Sequence, residues 1–158
     1  MKKLLLALDC SQHSQRAADY VTAILPYLPQ CELVLFSVVS GIPYSEAELA
    51  KLTGAAEQHP KVHGDEDHQR ELAQIQTFFT DVCARLEEKG FPAARVERRI
   101  QPLRRGYAQD IMDATKDSGC DTIVVGRRGQ SKIREIFGQS VSHDTLHCAD
   151  AITVWVVG

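Results

Sequence analysis

Four short, nearly unbroken apolar runs, separated by stretches with helical spacing, constrain this fold more than any other feature. They are Leu4-Leu5-Leu6-Ala7-Leu8 within residues 3–8, Leu33 to Val39, Thr122-Ile123-Val124-Val125 within residues 121–126, and Ile152 to Val157. Strands that are apolar on both faces belong in a parallel sheet covered on both sides. A fifth segment, residues 95–101, sets Val96 and Ile100 among arginines, which predicts a more exposed position in the same sheet. The resulting order, β-α-β-α-β-α-β-α-β, predicts a five-stranded parallel sheet in a three-layer α/β/α sandwich with right-handed crossovers.

The intervening stretches read as helices. Ser11 and Ser14 are both candidate N-caps for a first helix carrying Ala17, Ala18, Val21, Ile24 and Leu25, which ends before Pro26 and Pro29. Leu72, Ile75, Phe79, Val82 and Leu86 mark a long helix that starts near Asp67 and is closed by Gly90. Residues 106–118 carry Ala108, Ile111, Met112 and Ala114 on a third, and a last helical piece runs to about Cys148. Residues 41–66 hold few large apolar residues and several turn formers; they read as a variable loop region with a short helix at 45–52. The 158 residues form one domain, 1–158, on this reading.

Composition excludes several classes. The net charge of −3 gives no general attraction to polyanions, and the one local basic stretch is Arg95, Arg98, Arg99, Arg104 and Arg105, which also reads as a solvated edge. No nucleic-acid or membrane partner is expected, since no apolar run approaches the length of a membrane span. Asp9 interrupts the first apolar run and a polar helix start follows, so the N-terminal segment reads as strand one of a cytoplasmic protein, not a signal peptide. Five widely spaced cysteines without a Cys-x-x-Cys pair argue for free, mostly buried thiols. Cys10 is the exception: it precedes a helix, where a thiolate is favoured.

In a parallel sheet, ligands bind beyond the carboxyl ends of the strands. Asp9-Cys10-Ser11 falls there after strand one, and Gly126-Arg127-Arg128-Gly129 after strand four, with Gln139-Ser140-Val141-Ser142 opening the last helix. Glycines allow close backbone approach to phosphate, and a helix N-terminus favours an anion. The alternative for Gly126 and Gly129 is a tight strand-to-helix turn needing positive φ; for Arg127 and Arg128, an exposed basic turn; for Asp9, a turn or cap. His59, His63, Asp65, Glu66, Asp67 and His68 have metal-ligand types but no ligand pattern, and read as a solvated loop. His143 and His147 lack the glutamate of a zinc-binding helix, and Ser11 with His13 lacks a third group for nucleophilic catalysis.

Several segments in order resemble the universal stress protein family: Leu4 to Ser11 before an alanine-rich helix, Ser37-Val38-Val39 ending strand two, and Gly106 to Ile111. Cys120 to Gly126 and the ending from Ser140 through Leu146 to the last strand continue the match. The resemblance covers nearly the whole chain apart from 41–66. It implies a Rossmann-like single domain of the adenine nucleotide alpha hydrolase-like type and a homodimer. It also implies ATP or AMP binding at Asp9, Val38, Gly126, Gly129, Gln139, Ser140 and Val141, with Asp9 and Val38 at the adenine and ribose end and Mg only with nucleotide; the guanidinium groups of Arg127 and Arg128 beside the loop favour phosphate by charge. ATP-binding members carry Gly-x2-Gly-x9-Gly-Ser/Thr. Here Gly126 and Gly129 match the first pair, but Gln139 stands at the last glycine, ahead of Ser140; Gly138 is one residue early and would need a deletion.

Gln139 predicts weak or absent ATP binding, because its side chain narrows the space for phosphate, although its amide can also donate to an oxygen. The expected function is a stress-response or signalling module without an evident catalytic centre, acting with a signalling partner that the sequence leaves unidentified. A family member acting only through protein partners and a slow nucleotide hydrolase are the alternatives. Strand 152–157 is expected at a sheet edge, pairing with its counterpart in a second copy, with Trp155 at the contact or packed within its own subunit.

Overall fold

The computed structural model describes residues 1–39, 66–127 and 152–158. Five strands form one sheet: β1 (Lys3–Ala7), β2 (Glu32–Val39), β3 (Val96–Pro102), β4 (Thr122–Gly126) and β5 (Thr153–Val157). Their spatial order is β3-β2-β1-β4-β5 and every pairing is parallel. The central strand is therefore β1, with β3 and β5 at the edges.

Three helices accompany the sheet among the described residues: α1 (Gln12–Ile24), α2 (Glu66–Glu88) and α3 (Tyr107–Asp117). Strand alternation sorts the core into two layers. Leu4, Leu6, Leu33, Leu35 and Val124 point toward α1 and α2, where Val21, Ile75, Phe79 and Val82 meet them. Leu5, Ala7, Val34, Phe36, Ile123 and Val125 point to the other face, where Ala108, Ile111 and Ala114 of α3 cover them. β4 is buried along its whole length, as its unbroken apolar run requires.

The edge strands differ in how they meet solvent. β3 exposes Glu97 and Arg98, and its Arg99 reaches Ser118 Oγ at 3.3 Å and Asp117 at 3.8 Å. β5 has no residue in the buried class, and Val156 is 44% exposed. Trp155 packs within its own subunit, edge-on to Tyr20 of α1, with ring centroids 6.1 Å apart.

The sequence left two N-cap candidates for α1, and the structure assigns them different tasks. Ser11 caps the helix, its side chain accepting the Ser14 N–H at 3.2 Å. Ser14, buried one turn in, ties the preceding turn to the helix. The short helix expected at 45–52, the last helical piece and Cys148 lie outside the described residues. None of the described helices is long and apolar enough to cross a membrane.

Candidate functional site

Strand order reverses at β1: the chain leaves it through α1 toward β2, and later returns from β3 through α3 to β4 on its other side. In open α/β sheets such a reversal is where ligands bind, beyond the carboxyl ends of the strands. Asp9 stands in the loop after β1, and Gly126 ends β4.

Asp9 is held as a turn residue. Its Oδ1 accepts the Ser11 N–H at 3.0 Å and the Ser14 hydroxyl at 2.6 Å, while its own N–H donates to Ser14 Oγ at 2.8 Å. This closed set of bonds fixes where the carboxylate stands, so the turn reading holds and leaves the group at the rim of an open cleft. That cleft, of about 250 Å³, is lined by Ala7, Leu8 and Asp9 from the end of β1, Phe36, Ser37 and Val38 from β2, and Tyr107 and Ile111 from α3. It is mostly apolar, as small-molecule sites are.

Val38 contributes more than a side chain. A strand residue turns its N–H and C=O toward one neighbour, alternating along the strand. The Phe36 carbonyl accepts from Leu8 N–H at 2.8 Å, so Phe36 faces β1; the Val39 carbonyl accepts from Leu103 N–H at 2.8 Å, so Val39 faces the β3 side. Val38 therefore faces β1, but the β1–β2 register ends at Ala7 opposite Phe36, and the chain turns away at Asp9. Among the described residues the peptide edge of Val38 has no strand opposite it. Ser37, its neighbour, has a buried hydroxyl without a hydrogen-bond partner, a deficit that a bound water would relieve.

Gly126 departs from the turn expected of it. Positive φ occurs at Gly90, Gly106 and Gly119 among the described glycines, not at Gly126, which is the last residue of β4. What demands glycine is contact: a Cβ there would collide with the His13 carbonyl oxygen, 2.5 Å from its carbon and 2.9 Å from His13 Cβ. The end of β4 thus rests on the first turn of α1. Arg127 follows, exposed, its N–H donating to the Val157 carbonyl at 2.6 Å. Arg128, Gly129, Gln139, Ser140 and Val141 lie outside the described residues, as do His59, His63, Asp65, His143 and His147. The structure thus brings Asp9 and Val38 together at one cleft and sets Gly126 outside its lining, at the end of β4 against α1.

The sequence reading missed the α3 wall. Tyr107 and Ile111 stand one turn apart at the start of α3, and both line the cleft. Their only trace in the sequence is that a glycine, a helix start and an apolar residue at i+4 follow β3. The loop before them is clamped by Asp110, 2% exposed, whose carboxylate accepts the N–H groups of Arg104 at 2.8 Å and Arg105 at 3.1 Å.

Electrostatics also revise the expectation for Cys10. Its exposed thiol is pushed up, not down, first by partial desolvation and then by the Asp9 and Glu71 carboxylates. This direction favours the neutral thiol at Cys10. Cys31, Cys83 and Cys120 are free and buried. Glu66, Asp67 and His68 open α2, and no group of three or more His, Cys, Asp or Glu among the described residues is placed to hold a metal. Ser11 serves as a cap, and His13 Nδ1 is buried without a partner. In the basic stretch, Arg99 and Arg105 are paired with Asp117 and Asp113.

Comparison with known proteins places this geometry. The family model described as the universal stress protein family matches residues 1–158. A universal stress protein structure from Burkholderia pseudomallei superposes with a TM-score of 0.67 at 17% identity, covering 99% of this chain and 95% of that one. The Archaeoglobus fulgidus universal stress protein in complex with dAMP gives 0.56 at 14% identity, covering 100% and 98%. A family protein from Arabidopsis thaliana with AMP bound gives 0.54 at 15% identity, covering 99% and 91%. No curated protein sequence matches the chain.

Proposed function

The chain belongs to the universal stress protein family, and from that premise we propose that it is a homodimeric, cytoplasmic stress-response module that binds an adenine nucleotide at the carboxyl edge of its sheet. One observation carries the reading: an apolar cleft bordered by the peptide edge of Val38, which has no opposing strand among the described residues. An adenine edge pairs an amino donor with an adjacent ring-nitrogen acceptor. A peptide edge offers the complement, a carbonyl and an N–H side by side.

The lining of the cleft is mostly apolar, which suits the flat base rather than the charged phosphates. In this pose the ribose lies over Asp9, and the phosphates extend from the cleft toward Gly126 at the end of β4. The AMP and dAMP complexes of family members with the same fold support the ligand class. Gln139, standing where the ATP-binding motif has its last glycine, favours the monophosphate over Mg-ATP.

Protein purified without added ligand, then heat-denatured, tests this directly. AMP or another adenine nucleotide is expected in the released fraction or, after exhaustive dialysis, on re-addition. Protein that neither releases nor takes up an adenine nucleotide overturns the reading.

A further inference from the structure

We infer that Tyr107 is a specificity-determining residue of this cleft, its ring forming the wall on which the flat base of the nucleotide stacks. The inference rests on the proposed nucleotide reading and names what would select a base-bearing ligand over a bare sugar phosphate.

Three features place the ring. Tyr107 is the first residue of α3 and lines the cleft together with Ile111, across from Val38 and Ala7 on the sheet face that α3 covers. The ring is half-buried against that core layer, so it is anchored on one side while bordering open space on the other. The backbone that presents it is fixed: Gly106 adopts φ +113°, the buried Asp110 carboxylate accepts both loop N–H groups before it, and Asp113 engages Arg105 and Gln109.

A slot between a strand end and an aromatic side chain suits a planar heteroaromatic ring. Stacking on an aromatic face tolerates any base, because every base has a π-face. Recognition of which base then falls to the Val38 peptide edge. The two groups divide the work: Tyr107 selects for a base, Val38 for its hydrogen-bonding pattern.

The test compares AMP and ribose 5-phosphate on the whole protein carrying Tyr107→Phe or Tyr107→Leu. Phenylalanine keeps the ring, and AMP affinity should stay within about twofold; leucine fills the space without a π-face, and AMP affinity should fall about tenfold or more. Ribose 5-phosphate binding should be unchanged by either. As an arm that needs no folded leucine variant, AMP added to the wild-type protein should shift the Tyr107 ring proton resonances, assigned by their loss in Tyr107→Phe, through the ring current of the base. If wild-type protein binds AMP but Tyr107→Leu binds it equally well, or the Tyr107 resonances do not move, the stacking role is wrong and the nucleotide reading survives. If wild-type protein fails to bind AMP at all, both fall together.

Discussion

A methyl group at position 126 would lie 2.5 Å from the His13 carbonyl carbon, closer than packed atoms allow. The obstruction is backbone of the first turn of α1, which cannot rotate away as a flexible side chain could. Gly126→Ala should therefore push α1 and β4 apart and cost about 1–3 kcal/mol, the usual range for overpacking a filled site. Urea unfolding measures this, and a loss under about 0.5 kcal/mol would show that the contact relaxes cheaply. The first glycine of the phosphate-loop motif thus has a structural task at the strand end, separate from any contact with ligand. Asp9 is similar: the three bonds that make it a turn residue also hold it at the cleft rim. For these two positions the plain structural role and the binding role are not rivals.

Elements with one strong period were readable from the chain. β1, β2 and β4 announce themselves by nearly unbroken apolar runs because they lie inside the sheet, and Val96 and Ile100 among charged residues marked β3 as more exposed, which its edge position explains. The cleft was half legible. Asp9 follows from a strand end and Val38 from the family resemblance, but Tyr107 and Ile111 reach the site only through the way α3 crosses the sheet, which spacing along the chain does not encode. Cys10 illustrates another limit: Asp9 beside it is visible in the sequence, but the partial desolvation of its thiol and the Glu71 carboxylate from α2 arise only from the fold. β5 is the element that most needs a partner. It closes the sheet at an edge with Val156 44% exposed, and it carries no charge or proline to discourage pairing. On the proposed two-fold pairing, Val156→Glu should convert the dimer to monomer or drive it out of solution, read by light scattering at tens of micromolar. A variant that remains a soluble dimer would place the subunit contact elsewhere. Trp155, already engaged with Tyr20 in its own subunit, buttresses the strand in either case.

Taken whole, the molecule is a sheet with its structural chemistry at the amino edge and its open chemistry at the carboxyl edge. Cys120, two residues before β4, is pushed up from 9.0 to about 11, chiefly by burial. A thiol that ionises less readily when folded holds its proton more tightly in the native state. Its contribution to stability is therefore complete below pH 9.0 and lost as pH rises toward about 11. Unfolding followed from pH 8 upward should show stability falling across that window, with Cys120→Ala flattening the decline; an unchanged decline would assign it to other groups. At the carboxyl edge the central claim is that the apolar cleft holds an adenine base and that Gln139, in place of the motif's last glycine, disfavours the triphosphate. Isothermal titration of the unaltered protein with AMP and Mg-ATP tests it most directly. The account predicts saturable binding of AMP at micromolar or weaker affinity, with Mg-ATP no tighter; no heat with either ligand at millimolar concentration, or nanomolar binding of Mg-ATP, would contradict it.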